Sequence, residues 1–216
     1  MIEALAKGLI AYLLGGMMGG DLMRGLFGGG DLRAAGSGNV GATNALRTRG
    51  PAFALGVLAI DAGKGVAAAL ALPPLPWPWV ENLVLPHGWI AYGCGACCAL
   101  GHCYPLAHRF RGGKGVATLA GVYGALLPGA FVWMFLAFAL TVMLTGYVAL
   151  ASLAGALTAL LIVAVSGDGI FSAAGAFTLA MVLLVGFKHR ENLARLRRGT
   201  EHRFEKAMVL RRWLAR

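Results

Sequence analysis

Seven apolar segments, running approximately over residues 4–23, 51–72, 88–104, 115–127, 129–144, 147–165 and 170–187, constrain this chain more than anything else in it. Inside hydrocarbon every backbone N–H and C=O must be satisfied within the protein, so an open chain crosses a bilayer as helices. The sequence therefore predicts an all-α integral membrane protein with seven transmembrane helices, some of them short, and residues 1–216 forming one membrane-embedded domain. Segments 115–127 and 129–144 fall below the ~20 residues of an upright span. Pro128-Gly129 between them reads as a turn between two short helices or as a kink in one long helix.

The basic residues decide between these. Arg33, Arg47 and Arg49, then Arg109, Arg111 and Lys114, then the tail from Lys188 onward are cationic, whereas 73–86, 128–129 and 166–169 contain no Lys or Arg. Six spans would put the basic tail opposite the first basic loop. Seven put all basic segments on one side, the cytoplasm by the positive-inside tendency, with the N-terminus outside and the C-terminus inside. The N-terminal stretch has no small-residue cleavage site and reads as a first span, not a removed signal.

Composition agrees. The chain is 58% hydrophobic and 13% charged, with 33 glycines, which no ordinary soluble domain shows. The formal charge of +10 would suit nucleic acid if it lay on one soluble face. Here it lies between and after apolar runs and reads as orientation in the bilayer, so no nucleic-acid partner is expected. Cys94, Cys97, Cys98 and Cys103 fall in or beside one apolar run and read as small packing residues, not as zinc ligands. No carboxylate cluster faces the cytoplasmic side, and no metal or other cofactor is expected.

Three loops share that side: 36–50, 101–118 and 189–203. Each combines glycine with Asn, His, Arg or Lys at a membrane edge. Glycine lets backbone N–H groups approach an anion closely, and a following helix N-terminus adds its dipole, so such loops suit phosphate. In GSGNVGATNALRTRG, Asn39 and Asn44 offer neutral donors, Ser37 and Thr43 hydroxyls, and Arg47 a fork for two phosphate oxygens.

Several other readings fail. Residues 36–41 spell G-x-G-x-x-G, but a dinucleotide site requires a preceding strand, and an apolar span stands there instead. Lys114 is followed by Gly115, not the Ser/Thr of a phosphate-binding P-loop, and the upstream glycine is missing. There is no G-x-S-x-G, and none of the five histidines has an aspartate five positions on. A transporter would need a polar path across several spans, whereas the polar residues here crowd one edge.

GSGNVGATN, then GH-x-x-P followed by GGKGVAT, then H-x-x-N-x-x-R-L-x-x-G-T-E, each beside an apolar span, resemble the three signature motifs of the bacterial acyl-phosphate:glycerol-3-phosphate acyltransferases, the PlsY type. The resemblance extends over nearly the whole chain. It implies transfer of a fatty acyl group from acyl phosphate to the sn-1 hydroxyl of glycerol-3-phosphate at the bacterial cytoplasmic (inner) membrane. Lysophosphatidic acid and inorganic phosphate would be the products, with membrane lipids as surroundings and no obligate protein partner. It implies Lys114, His189, Asn192 and Ser37 as catalytic residues. Gly38, Asn39, Gly41, Thr43, Asn44, Arg47, His102, Gly112, Gly113, Gly115, Ser152, Arg195 and Glu201 are implied as substrate-binding residues. The chain departs from the pattern at Gly16, Ala107 and Ala149, where the family commonly has serine, an aromatic and serine, and Arg111 stands for lysine.

On that reading the substrate hydroxyl attacks the acyl-phosphate carbonyl directly. Lys114 and the neighbouring glycine amides neutralise the leaving phosphate, and Arg47 and Asn44 hold phosphate or polar groups. His189 and Asn192, at i and i+3 on one helix face, orient glycerol-3-phosphate. Either His189 or the substrate's own phosphate takes the proton. Asp61 and Lys64, also at i and i+3 but within the second span, are expected to pair, because two lone charges there would be costly. Glycines within spans, such as Gly121 and Gly155, are expected at close helix contacts. Residues 203–216 are expected to form an interfacial helix with Phe204, Ala207, Met208, Trp213 and Leu214 on its apolar side and Arg203, Lys206, Arg211, Arg212 and Arg216 near headgroups.

Overall fold

The computed structural model describes residues 2–76, 86–167 and 169–214, without the side chains of His87, Arg212 and Leu214. The described residues are helical throughout, with turns between, and no strand occurs among them. They form two compact units, Met1–Leu126 and Leu127–Arg216. The fold class is the expected one, an all-α integral membrane protein.

The first unit contains α1 (Ile2–Gly15), α2 (Gly19–Phe27), α3 (Ala42–Arg49), α4 (Pro51–Leu70), α5 (His87–Cys103) and α6 (Val116–Leu126). The second contains α7 (Pro128–Thr145), α8 (Val148–Val165), α9 (Ala173–Lys188), α10 (Arg190–Arg197) and α11 (Val209–Leu214). All seven apolar segments are thus helical. Among the described residues three helices, α4, α7 and α8, are long and apolar enough to cross a membrane alone, and α1 with α2 makes a fourth if the bent pair is one span. With 11 residues, α6 is about 16 Å long at 1.5 Å per residue, half the hydrocarbon thickness. Helical geometry stops at Leu127 (φ −137°, ψ 58°) and restarts with Pro128 in the first turn of α7, so Pro128-Gly129 opens a new helix.

The first apolar segment differs from the expected single helix. It bends by 48° between Gly15 and Gly19. The groups freed at that break are taken up by α4: Lys64 Nζ donates to Gly15 O at 2.8 Å and Met17 O at 2.9 Å, and Gly19 N–H donates to Asp61 Oδ1 at 3.1 Å. Broken helices are tolerated in a bilayer only where such partners exist.

Helices in the first unit approach through reciprocal glycines. A methyl group on Gly65 of α4 would collide with Thr118 O of α6, and one on Gly121 of α6 with Ala62 O of α4. Gly15 and Gly101 stand in the same relation between α1 and α5. In the second unit Gly155 of α8 faces Met134 of α7. Lipid offers no hydrophobic drive for helix association, so close van der Waals contact supplies it, and small residues permit that contact. Cys94, Cys98 and Cys103 are buried within α5.

The tail is less regular than expected. A single 3-10 turn at Glu205–Ala207 precedes α11, so residues 203–214 do not form one continuous helix. Met208 is buried against the turn joining α7 to α8, while Val209 and Trp213 stay exposed. Arg216 and most of the expected outer loop 73–86 lie outside the described residues.

Candidate active site

The first loop is built around Asn44. Its carboxamide is 1% exposed; Nδ2 donates to Leu32 O at 2.9 Å, Ala35 O at 3.0 Å and Asn39 O at 2.8 Å, and Oδ1 accepts from Ser37 N–H at 2.9 Å. The side chain expected to meet substrate is instead spent on loop backbone. Gly36 lies at φ 59°, and a β-carbon there would run into Asn44 Oδ1, so this turn needs glycine. Asn39 is used similarly, its Oδ1 accepting from Gly41 N–H at 3.0 Å just before α3 begins. Ser37 and Gly38 remain exposed at the tip. Thr43 and Arg47 are half-buried on one face of α3, four residues apart.

Two arginines outside the predicted set hold this loop in place. Arg33 grips Asp21 of α2 with both terminal guanidinium nitrogens, at 2.8 and 3.0 Å. Its backbone N–H, bonded to Asp31 Oδ1 at 2.9 Å, is the main cause that holds the Asp31 carboxyl below its ordinary range. Arg49 donates to Gly28 O at 2.8 Å and lies over the Phe53 ring at 4.4 Å. Asp21 also meets the second loop, with His108 Nε2 at 3.1 Å from its Oδ2.

The second loop carries Lys114. Arg109 and Phe110 take left-handed conformations, φ 53° and 61°, an uncommon and costly state for such side chains that turns Phe110 outward. Gly112 and Gly113 then pack on His102: Gly113 N–H donates to His102 O at 3.0 Å, and β-carbons on these glycines would strike the His102 carbonyl and ring respectively. Gly115, at φ 79°, turns the chain into α6. Lys114 and the first N–H groups of α6 therefore adjoin in sequence and space, an arrangement suited to phosphate. His102 itself is 3% exposed with Nδ1 2.8 Å from Lys64 Nζ, so the structure places it under the loop. The expected Asp61–Lys64 pair is present at 2.9 Å.

The third loop, in the second unit, joins α9 to α10. His189 is 2% exposed and its Nδ1 lies 2.8 Å from Val185 O. A carbonyl only accepts, so Nδ1 carries the proton and, in the neutral ring, Nε2 carries the lone pair. Asn192 Nδ2 donates to Glu201 Oε1 at 2.7 Å, and Arg195 Nε donates to Glu201 Oε2 at 2.8 Å. Glu201 and Arg195, predicted to bind substrate, thus brace Asn192. The chain beyond is pinned by Phe204 N–H to Gly146 O at 2.8 Å and Arg203 Nε to Thr145 O at 3.0 Å. Ser152, on α8, is buried, and its hydroxyl donates to Val148 O at 2.9 Å.

Sequence reasoning missed Asp21, Arg33 and Arg49 as loop anchors. Their only signal was a charged residue at a helix edge, which gives no partner.

A family model described as glycerol-3-phosphate acyltransferase matches residues 5–199. A glycerol-3-phosphate acyltransferase of Listeria monocytogenes is 38% identical over 93% of this chain and 96% of its own length. One from Thermus thermophilus is 40% identical over 90% of this chain and 92% of its own length. The crystal structure of PlsY, an integral membrane glycerol 3-phosphate acyltransferase, in its glycerol 3-phosphate form superposes with a TM-score of 0.82 at 36% identity, covering 96% of this chain and 98% of that one. Its lysophosphatidic acid form gives 0.80 at 34% identity. With a match of this extent on three loops of this composition, the chain belongs to the glycerol-3-phosphate acyltransferase family of PlsY type.

Proposed function

We propose that this protein is a glycerol-3-phosphate acyltransferase that uses acyl phosphate as donor and acylates the sn-1 hydroxyl, releasing lysophosphatidic acid and inorganic phosphate. The observation that carries the reading is the Gly112–Gly115 turn, which leads Lys114 directly into the N-terminus of α6. A phosphate leaving group needs charge neutralisation where it departs, and a lysine beside helix N–H groups supplies it. Acyl phosphate is already activated, so the chain needs no nucleophile of its own.

The substrate hydroxyl forms the new C–O bond at the acyl carbon while the bond to the phosphate oxygen breaks. The hydroxyl proton passes to His189 Nε2 or to the phosphate of glycerol-3-phosphate. Asn192, held by Glu201, orients the acceptor; Ser37 and Arg47 bind polar substrate groups, and Thr43 and Gly38 support them. Asn44, Asn39, Gly41 and Gly113 shape the loops, and Ser152 supports the acceptor side. The protein works as one catalytic domain of residues 1–216 in the bacterial cytoplasmic membrane, with the three loops and C-terminus cytoplasmic and the N-terminus outside.

The test is purified protein supplied with labelled glycerol-3-phosphate and palmitoyl phosphate, with palmitoyl-CoA in a parallel reaction. Stoichiometric lysophosphatidic acid and phosphate from the first reaction alone is expected. Product from the thioester only would overturn the donor assignment, and no product from either would overturn the reading. Comparing His189→Gln with an isosteric phosphonate acceptor separates the two candidate bases: the variant removes the imidazole, whereas the phosphonate keeps its oxygens but shifts the pH at which they take a proton, so a pH–rate profile displaced by the phosphonate assigns the proton to the substrate.

A further inference from the structure

Within α4 lies a buried charge cluster to which the proposed chemistry gives no role. Lys64 Nζ, its side chain 4% exposed, lies 2.9 Å from Asp61 Oδ1, 2.8 Å from Gly15 O, 2.9 Å from Met17 O and 2.8 Å from His102 Nδ1. Stitching the α1–α2 break requires the carbonyls and Asp61, but not a histidine 38 residues away on another helix. Nδ1 lies within reach of both the ammonium and Asp61 Oδ1, so the charged pair holds this edge of the ring. That fixes the orientation of the ring.

The opposite side of the ring supports the loop. Gly113 packs so closely on Nε2 that a β-carbon would not fit, and its N–H donates to His102 O at 3.0 Å. Gly112 lies against the same carbonyl. Both residues immediately before Lys114 therefore rest on one buried histidine, whose ring is set by Lys64 and, through Lys64, by Asp61. Asp61 Oδ1 is also 3.4 Å from His102 Nδ1, so removing the ammonium would leave the carboxylate as the ring's nearest charged neighbour.

We propose that Lys64 and Asp61 are positioning residues for acyl transfer, acting through His102 to hold the Gly112–Gly115 loop and so to place Lys114 at the leaving phosphate. The inference rests on the reading of Lys114 as the leaving-phosphate ligand. A buried ammonium with several partners is a stiff support, and an error of about 1 Å at such a site costs about a hundredfold in rate.

A kinetic cycle in purified protein tests it. Lys64→Met alone strands a buried carboxylate, so both charges are removed together in Asp61→Leu/Lys64→Met, a replacement that buried ion pairs often tolerate. This variant is expected to melt cooperatively and lose turnover by roughly tenfold or more, with KM for glycerol-3-phosphate within about twofold of wild type. In a Lys114→Met background the same pair of changes is expected to cost less than about twofold further, because the route through Lys114 is already gone. Wild-type turnover in Asp61→Leu/Lys64→Met, or losses that multiply with Lys114→Met, overturns the proposal. If the double variant does not fold, His102→Asn takes its place in the cycle: Asn Oδ1 can still accept from Lys64, but no ring supports Gly113, and the same two outcomes decide. Normal turnover in Lys114→Met by itself would refute the phosphate-ligand reading and this inference with it, and is distinguishable from both.

Discussion

Asn192 and Glu201 are joined by a 2.7 Å hydrogen bond whose acceptor is fixed in turn by Arg195 at 2.8 Å. Asn192 is 6% exposed, so its carboxamide orientation is set by this carboxylate and not by solvent. Glu201→Ala should therefore lower turnover about 10- to 100-fold through a misoriented Asn192. Glu201→Gln, which keeps an acceptor for Asn192 but sets its amide nitrogen against Arg195 Nε, should lose less activity than Glu201→Ala. Steady-state kinetics on both variants, with melting curves as controls, checks this; equal activity of Glu201→Ala and wild type would remove the brace from the account.

Ser37 and Asn44 belong to one loop and should respond differently. Asn44→Asp puts an oxygen against three carbonyls in a buried position and should cost at least about 2 kcal/mol of stability. Ser37→Ala touches an exposed hydroxyl and should leave the melting temperature unchanged while lowering turnover. A Ser37→Ala protein with wild-type kinetics would take the hydroxyl out of the site.

Two glycines on α4, two residues apart, offer a packing test. Gly65→Ala forces α4 off α6 at Thr118 O and should destabilise by about 1–3 kcal/mol. Gly63→Ala meets nothing within 4 Å and should be neutral or stabilising by up to about 1 kcal/mol. Thermal unfolding in detergent measures both, and equal effects would contradict the close α4–α6 contact.

Truncation after Phe204 keeps the bonds to Thr145 and Gly146 and removes Met208 and α11. The lost segment presents Trp213 and Arg211 outward, and cations near an anionic leaflet contribute about 1 kcal/mol each. Acylation should fall more in anionic liposomes than in neutral detergent. Equal activity of truncated and full-length protein in both settings would deny the tail a membrane role.

Much of the fold was legible in the sequence because a bilayer imposes its demand locally. Each apolar segment must form helix wherever it lies, and the placement of the basic loops chose a turn over a kink at Pro128. The i, i+3 pairing of Asp61 with Lys64 and the glycines at helix contacts are likewise properties of a single helix face. The three loops could be singled out because each interrupts the apolar pattern with Gly, Asn, Lys, Arg or His at a membrane edge.

The destination of each polar side chain was not legible. Asn44, His102 and Glu201 all carry groups that fit a substrate, and on sequence alone each was assigned to one. Tertiary structure turned Asn44 onto Leu32, Ala35 and Asn39, His102 onto Lys64, and Glu201 onto Asn192. The bend between Gly15 and Gly19 was hidden for the same reason, since its freed backbone groups are satisfied by residues more than forty positions away. The sequence by itself thus determined the solvent, the helices and the chemical type of the loops, because these depend on which residues are neighbours along the chain. Only the tertiary structure decided which polar groups hold one another in place, because a hydrogen bond is assigned by what stands about 3 Å away in space.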